Sequence, residues 1–534
     1  MKPDRRRLLL AQTILALSGA AAAQADVRMP KLFSDDMILQ RDLATRIWGW
    51  ADVGEKVTVN FAGQTRSATA GAQGTWEVQL AALPASAKGQ DLVVLGRNAL
   101  TFHNVLLGDI WVCGGQSNME WTLGSCRAPE DIKNANFPLI RWIRVPNTAA
   151  ESPQEDLPPN HQARWAVCEP GNAAGISAVG FYFARKLAQE TGIPQGVLAS
   201  NVGGTNIEKW IPQPAFAKEP SLAEMTQRMD AEVKNYSVAV AQQVPRLEKW
   251  LGDVKAALAA QGPIPPRPEF PIHPSLPGSP QGGNWSHLYY GMIHPLTKFG
   301  IKGALWYQGE SNGSEADSYF VKKRALIGSW RQQWAQGDFP FYFVQLANFQ
   351  KPSQDPAGGD GWAKLRQAQT KTLTLPHTGM AVAIDLANAD NPDDIHPTNK
   401  LDVGERLALW SLAKDYGKKD LVYSGPLYQS MKTEGSTIRL TFDSVGSGLT
   451  AAAKTGLAPT APTPQAKLQR FAIAGADQKW VWADAAIDGA TVVVSSPQVP
   501  QPVAVRYAFT MNPVGANLYN KEGLPASPFR TDDW

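Results

Sequence analysis

Between residue 106 and about residue 414 the chain repeats one pattern. A short, continuously apolar run ends in glycine or polar residues, and a stretch of helical periodicity follows. The runs are "LLGDIWVCG", "QGVLASNVGG", "IKGALWYQG", "FPFYFVQLANF" and "GMAVAIDLAN", and the helical stretches include "GFYFARKLAQETG" and "YFVKKRALIGSWRQQW". A strand that is apolar on both sides must be covered on both faces. Strands that alternate with helices meet that need as a parallel sheet in an α/β layer. This pattern sets the expected fold class.

The flanks read differently. Residues 26–105 alternate apolar and polar, as in "TRIWGWADVGEKVTVNFAG" and "GTWEVQL", with glycine turns, and predict an N-terminal β-sandwich. Residues 419–534 return to alternation ("STIRLTFDS", "KLQRFAIAG", "ATVVVSS", "AVRYAFT") and predict a C-terminal β-rich domain. Three domains suit 534 residues. Inside the central domain, 106–418, residues 213–285 read as an insertion beside a cleft. Its first part is helical, with Leu247, Trp250, Leu251, Val254 and Leu258 at helical spacing and Pro245 near a helix start. Its second part is the Pro-rich loop "QGPIPPRPEFPIHPSLPGSPQGG".

Residues 1–25 read as an export leader. Lys2, Arg5, Arg6 and Arg7 precede an apolar run from Leu8 to Ala23, and Ala23-Gln24-Ala25 suits cleavage. The arginine run also resembles a twin-arginine signal. The expected location is therefore the periplasm or the outside of the cell. The leader carries the whole net charge of +3, so the mature chain is close to neutral. That argues against nucleic acid and anionic membrane as partners. Cys113, Cys126 and Cys168 allow at most one disulfide, with Cys126–Cys168 one pairing. No Cys or His cluster has zinc spacing, so neither metal nor cofactor is expected.

In an α/β layer, ligands bind at the carboxyl ends of the strands. There the sequence places "VCGGQSNMEW", which presents Ser117 between Gln116 and Asn118, then "NVGGTN" and "YQGESN". A polar turn with a capping serine is the plain reading; a displayed nucleophile is the other. A nucleophilic serine needs a base, and the base needs an orienting group. Of seven histidines, His396 has a carboxylate three residues back outside a structureless loop, and Pro397 sets it at a helix start. Asp393 is then the expected partner of Nδ1, with Asp394 pointing away. "GESNG" at 309–313 offers a rival nucleophile-elbow serine, Ser311. That reading leaves the Ser117 turn and "NVGGTN" without a role.

Six blocks in order, "GGQSNMEW", "SNVGGTNIEKW", "MIHPL", "IKGALWYQGESN", "KLRQAQ" and "DDIHPTNK", resemble the sialate O-acetylesterase family, a branch of the SGNH (GDSL-like) hydrolases. They span about 106 to 411. The resemblance implies a three-layer α/β/α core with flanking β-domains, and removal of O-acetyl groups from carbohydrate, O-acetylated sialic acid first. It implies Ser117 as nucleophile and Asp393 and His396 as acid and base. It also implies oxyanion donors at the Ser117 N–H, the Gly204 N–H (or that of Gly203) and the Gln308 amide, where the wider superfamily has Asn. Gln116, Asn118 and Gln308 crowd the serine, which suits a small acyl group.

Trp121, Trp210, Trp285, Tyr289, Tyr290 and Trp306 suit stacking on sugar rings or core packing. Arg366 of "KLRQAQ" suits a sugar carboxylate or a helix surface. Two other classes stay open: an acetylesterase of plant polysaccharide such as xylan or xyloglucan, and a non-catalytic carbohydrate-binding protein.

Overall fold

One 17-residue strand, Ala99–Gly115, organises the molecule in this computed structural model, which describes residues 26–161, 163–279, 284–388 and 390–534. The expected leader, residues 1–25, lies outside them. The first half of the strand pairs antiparallel with Ser86–Leu95 and parallel with Ile38–Gln40 of the N-terminal β-region. Its second half runs parallel to Gln195–Asn201 on one side and Gly303–Tyr307 on the other. Burial changes accordingly. Side chains alternate between exposed and half-buried up to Phe102 and are continuously buried from Val105. Asn104, at φ 56°, marks the change. The boundary expected at 105/106 therefore falls inside an unbroken strand.

The central sheet has the order Thr378–Val382, Phe341–Gln345, Gly303–Tyr307, Ala99–Gly115, Gln195–Asn201, Phe137–Arg144, Ala166–Cys168. All neighbours are parallel except the last pair. The chain lays strands on one side of Ala99–Gly115 and then crosses to the other, so the switch point of the sheet lies at Gly115.

Helices cover both faces. Ala178–Thr191 and Lys400–Lys414 pack together on one, where Phe183 meets the Trp111 ring edge-on at 4.8 Å. Asp317–Trp334 and Gly361–Lys371 pack together on the other, where Trp330 contacts Trp306 and Phe341. Side-chain caps start three of these four helices: Ser177 Oγ accepts the Gly180 N–H, Asp360 that of Ala363 and Asn399 that of Asp402. Beyond residue 420 come antiparallel sheets with their own core around Ile438, Leu440, Phe471, Ile473 and Val494.

The insertion departs from the expected outline. Its helix runs from Ala223 to Ala259, so Pro245 sits in the interior rather than near a start. Leu251 and Leu258 are 50% and 60% exposed, while Leu247, Trp250 and Val254 are half-buried and the Trp250 indole N–H donates to Pro265 O of the Pro-rich loop. Helical spacing identifies an apolar face without showing whether anything covers it. Among the described residues no helix is long and apolar enough to cross a membrane. The three cysteines are buried and free.

Gly115 is a tight point of the core. At φ 133° it occupies a region side chains avoid, and a Cβ there would lie 2.2 Å from Tyr307 O. Gly115→Ala should therefore destabilise the protein by roughly 2–4 kcal/mol in chemical denaturation, with loss of activity.

Candidate active site

After Gly115 the chain turns. Gln116 is extended, its N–H donates to Tyr307 O at 3.0 Å, and Ser117 begins a four-residue helix ending at Glu120. This places Ser117 at the carboxyl end of the central strand. The loop before Lys400–Lys414 brings His396 to it, with Nε2 2.9 Å from Ser117 Oγ. The imidazole stacks on Trp121 at 4.8 Å and 15° between planes. That contact fixes the ring plane while leaving its two nitrogens at opposite edges.

The acid beside the ring is Asp394, not Asp393. Asp394 Oδ1 lies 3.4 Å from His396 Nδ1 and accepts the His396 backbone N–H at 2.9 Å. Asp393 is exposed and makes no contact with the ring among the described residues. The expectation of Asp393 assumed a helical turn through residues 393–396. The segment is an irregular loop, and in it the nearer carboxylate turns inward. Asn388 holds this loop through Asp394 Oδ2, His396 O and Thr398. Burial, then the charge of Lys400, push the His396 pKa below the ordinary histidine value, and Asp394 pulls the other way.

The two glycines of the glycine loop differ. Gly203 N–H is taken by Glu120 Oε2 at 2.7 Å, and a Cβ on Gly203 would touch Ser117 Cβ at 3.4 Å. Gly204 has φ 67°, and a Cβ there would meet nothing within 4 Å among the described residues. Its N–H and that of Ser117 have no acceptor among the described residues.

Gln308 is turned away. It is fully buried, and Nε2 spends both hydrogens on Thr205 O (3.1 Å) and Asn312 Oδ1 (2.7 Å), while Oε1 accepts from Tyr319. A buried amide saturated by protein partners has no proton left for a substrate oxygen. Gln116 is arranged the other way. Its Oε1 accepts the Ser311 N–H at 3.3 Å, and its amide nitrogen has no partner among the described residues. Ser311 contributes only this backbone contact, and no histidine meets it among the described residues.

Three further expectations change. Asn118 is buried and saturated: its amide nitrogen donates to Glu310 Oε1 and Ile395 O, and its oxygen accepts from Lys400. It builds the site rather than facing a ligand. Trp306 is fully buried, edge-on to Trp210 and Trp330, and belongs to the core. Arg366 is neither a surface charge nor a sugar ligand. It is fully buried, and its guanidinium donates to the carbonyls of Leu346, Ala347, Thr510 and Met511 and to Asn348 Oδ1. It joins the C-terminal region to the core.

Sequence reasoning missed Asn388 and Lys400 as site residues. Lys400 left a legible signal: a cation at the first position of a helix is opposed by the helix dipole and needs a reason to be there.

A serine and a histidine in contact at a sheet switch point, beside free backbone N–H groups, belong to the class of carboxylic ester hydrolases. Comparison with known proteins makes this specific. The family model described as carbohydrate esterase, sialic acid-specific acetylesterase matches residues 107–256 and 278–412. Sialate O-acetylesterase of Rattus norvegicus is 30% identical over 453 residues, covering 78% of this chain and 79% of the rat protein. The Homo sapiens sialate O-acetylesterase is 31% identical, covering 78% and 76%. The crystal structure of a carbohydrate acetylesterase from Xanthomonas citri superposes with a TM-score of 0.76 at 36% identity, covering 95% of this chain and all of that one. The chain belongs to the sialic acid-specific acetylesterase family of carbohydrate esterases. It is a carboxylic ester hydrolase acting on carbohydrate.

Arg366→Met should lower stability by about 3 kcal/mol or more, because it strips the donor from a set of buried carbonyls. Urea denaturation measures that loss, and KM of the folded fraction should stay near the wild-type value.

Proposed function

We propose that the protein is an exported serine esterase that removes O-acetyl groups from sugars, O-acetylated sialic acid first among them. The observation that carries the mechanism is the 2.9 Å contact between Ser117 Oγ and His396 Nε2. Ser117 Oγ attacks the acetyl carbonyl carbon as its proton passes to Nε2, and Asp394 steadies the resulting imidazolium. The N–H groups of Ser117 and Gly204 receive the negative oxygen, and the Gln116 amide takes the third donor's place instead of Gln308. The bond from the carbonyl carbon to the sugar oxygen breaks, and that oxygen takes the proton from His396. Water, deprotonated by His396, then cleaves acetyl-Ser117 to acetate, and the proton returns to Ser117. Neither metal nor cofactor is required, so EDTA should leave turnover intact.

A second reading, an acetyl ester of a neutral polysaccharide such as xylan or xyloglucan, gains from one observation. Arg366, the residue considered for a sugar carboxylate, is buried and committed to backbone carbonyls. Acetate release from O-acetylated sialic acids beside acetylated xylo-oligosaccharides decides between the substrates. Release from neither would leave a binding role.

Ser117→Ala should reduce turnover at least about 10³-fold while binding is kept. Asp394→Asn should cost on the order of 10²–10⁴-fold and Asp393→Asn only a few-fold. The reverse order of the two aspartates would restore Asp393 as the orienting acid. Since His396 must be neutral to accept a proton, activity falls as pH drops through its pKa. The acid midpoint of kcat/KM should therefore lie below the ordinary histidine value, because burial and Lys400 disfavour the charged ring.

A further inference from the structure

Lys400 opens the helix Lys400–Lys414, yet its side chain is fully buried beside the reacting pair. Its ammonium donates to Asn118 Oδ1 and, at 2.6 Å, to Pro397 O. Those acceptors belong to the residues that directly follow Ser117 and His396. One side chain thus ties the turn of the nucleophile to the loop of the base. The rings of Trp121 and Tyr307 each lie 5.4 Å from the ammonium, and Trp121 is the ring stacked on His396. The titratable groups around it are Glu310, Asp394, His396 and the thiol of Cys126. Glu310 receives the other end of the Asn118 side chain at Oε1, while its Oε2 is buried without a partner among the described residues.

We propose that Lys400 is a positioning residue for ester hydrolysis, which holds Ser117 and His396 in register and keeps His396 in its neutral, proton-accepting form. The proposal rests on Ser117 and His396 being the reacting pair. The positioning half follows from satisfaction: without the ammonium, two buried oxygens lose their donor, and the two loops keep the bond from the Asn118 amide to Ile395 O but lose the second tie that Lys400 makes between them. The second half follows from charge. An ammonium in a dry site disfavours a second positive charge on the neighbouring imidazole. Burial lowers the pKa of Lys400 itself to about 8, while Cys126, Glu310 and Asp394 act to raise it, so the charge is present through the acid range where His396 titrates.

The test is the pH profile of kcat/KM for 4-nitrophenyl acetate with wild type, Lys400→Met, Lys400→Arg and Ser117→Ala, each checked for folding by circular dichroism. Lys400→Met should lower kcat about 10-fold or more with KM nearly unchanged, the sign of a lost alignment rather than lost binding. Its acid midpoint should move to higher pH by roughly half a unit or more, because the repelling charge is gone. Lys400→Arg keeps the charge and should keep the midpoint while losing part of kcat. An unmoved midpoint in Lys400→Met overturns the proposal, as does an upward move in Lys400→Arg. The arginine arm still decides if the methionine variant does not fold. An active Ser117→Ala overturns the underlying serine reading. An inactive Ser117→Ala with an unmoved Lys400→Met midpoint overturns the role of Lys400 alone.

Discussion

The close approach of Gly115 to Tyr307 is the constraint on which the rest of the structure depends. The central strand must pair with parallel neighbours on both sides and then leave the sheet at once, so that Ser117 stands above the switch point. A side chain at 115 would occupy the space of the Tyr307 carbonyl. With only hydrogen there, the Gln116 N–H reaches that carbonyl and the turn is pinned at its root. Every other part of the site is brought to this turn: the glycine loop after Gln195–Asn201, the loop after Gly303–Tyr307, and the His396 loop.

Two buried polar networks keep those loops in place. In one, Asn312 accepts from Gln308 and from the Ile207 N–H and donates to Glu208 and Glu315, and Lys322 forms an ion pair with each of these acids. It joins the glycine loop to the loop after the next strand. In the other, Asn118 stands between Glu310 and Lys400 and joins the nucleophile turn to the histidine loop. Buried amides and charges are costly unless every group finds a partner, and that cost makes one arrangement of the loops strongly preferred over others. A hydrolase site needs this, because small displacements of reacting atoms are expensive in rate.

The C-terminal region is held by the same kind of contact. Arg366 donates to the carbonyls of Thr510 and Met511, and Asp360 accepts from the Thr510 hydroxyl and the Met511 N–H. Both come from the segment around Gly361–Lys371, so the helix that covers one face of the sheet also carries the attachment of the last β-region. The long insertion helix is different: its apolar stripe meets little of the core.

The sequence by itself determined the α/β layer, because runs such as "IKGALWYQG" are apolar on both faces and admit few arrangements other than a covered parallel sheet. It also marked the strand ends where polar residues gather, since glycine and amides interrupt an apolar pattern visibly. Only the tertiary structure decided which of those polar groups faces which. Asp393 and Asp394 are chemically identical, and the choice between them rests on the path of an irregular loop held by Asn388. Gln308 and Gln116 offer the same amide, yet Asn312 and Thr205 saturate one, and Ser311 occupies only the oxygen of the other. Arg366 and Trp306 carry sugar-binding chemistry in the sequence and are buried by partners distant along the chain. Periodicity is local and reports burial. The direction of a hydrogen bond depends on a partner that the fold alone brings near.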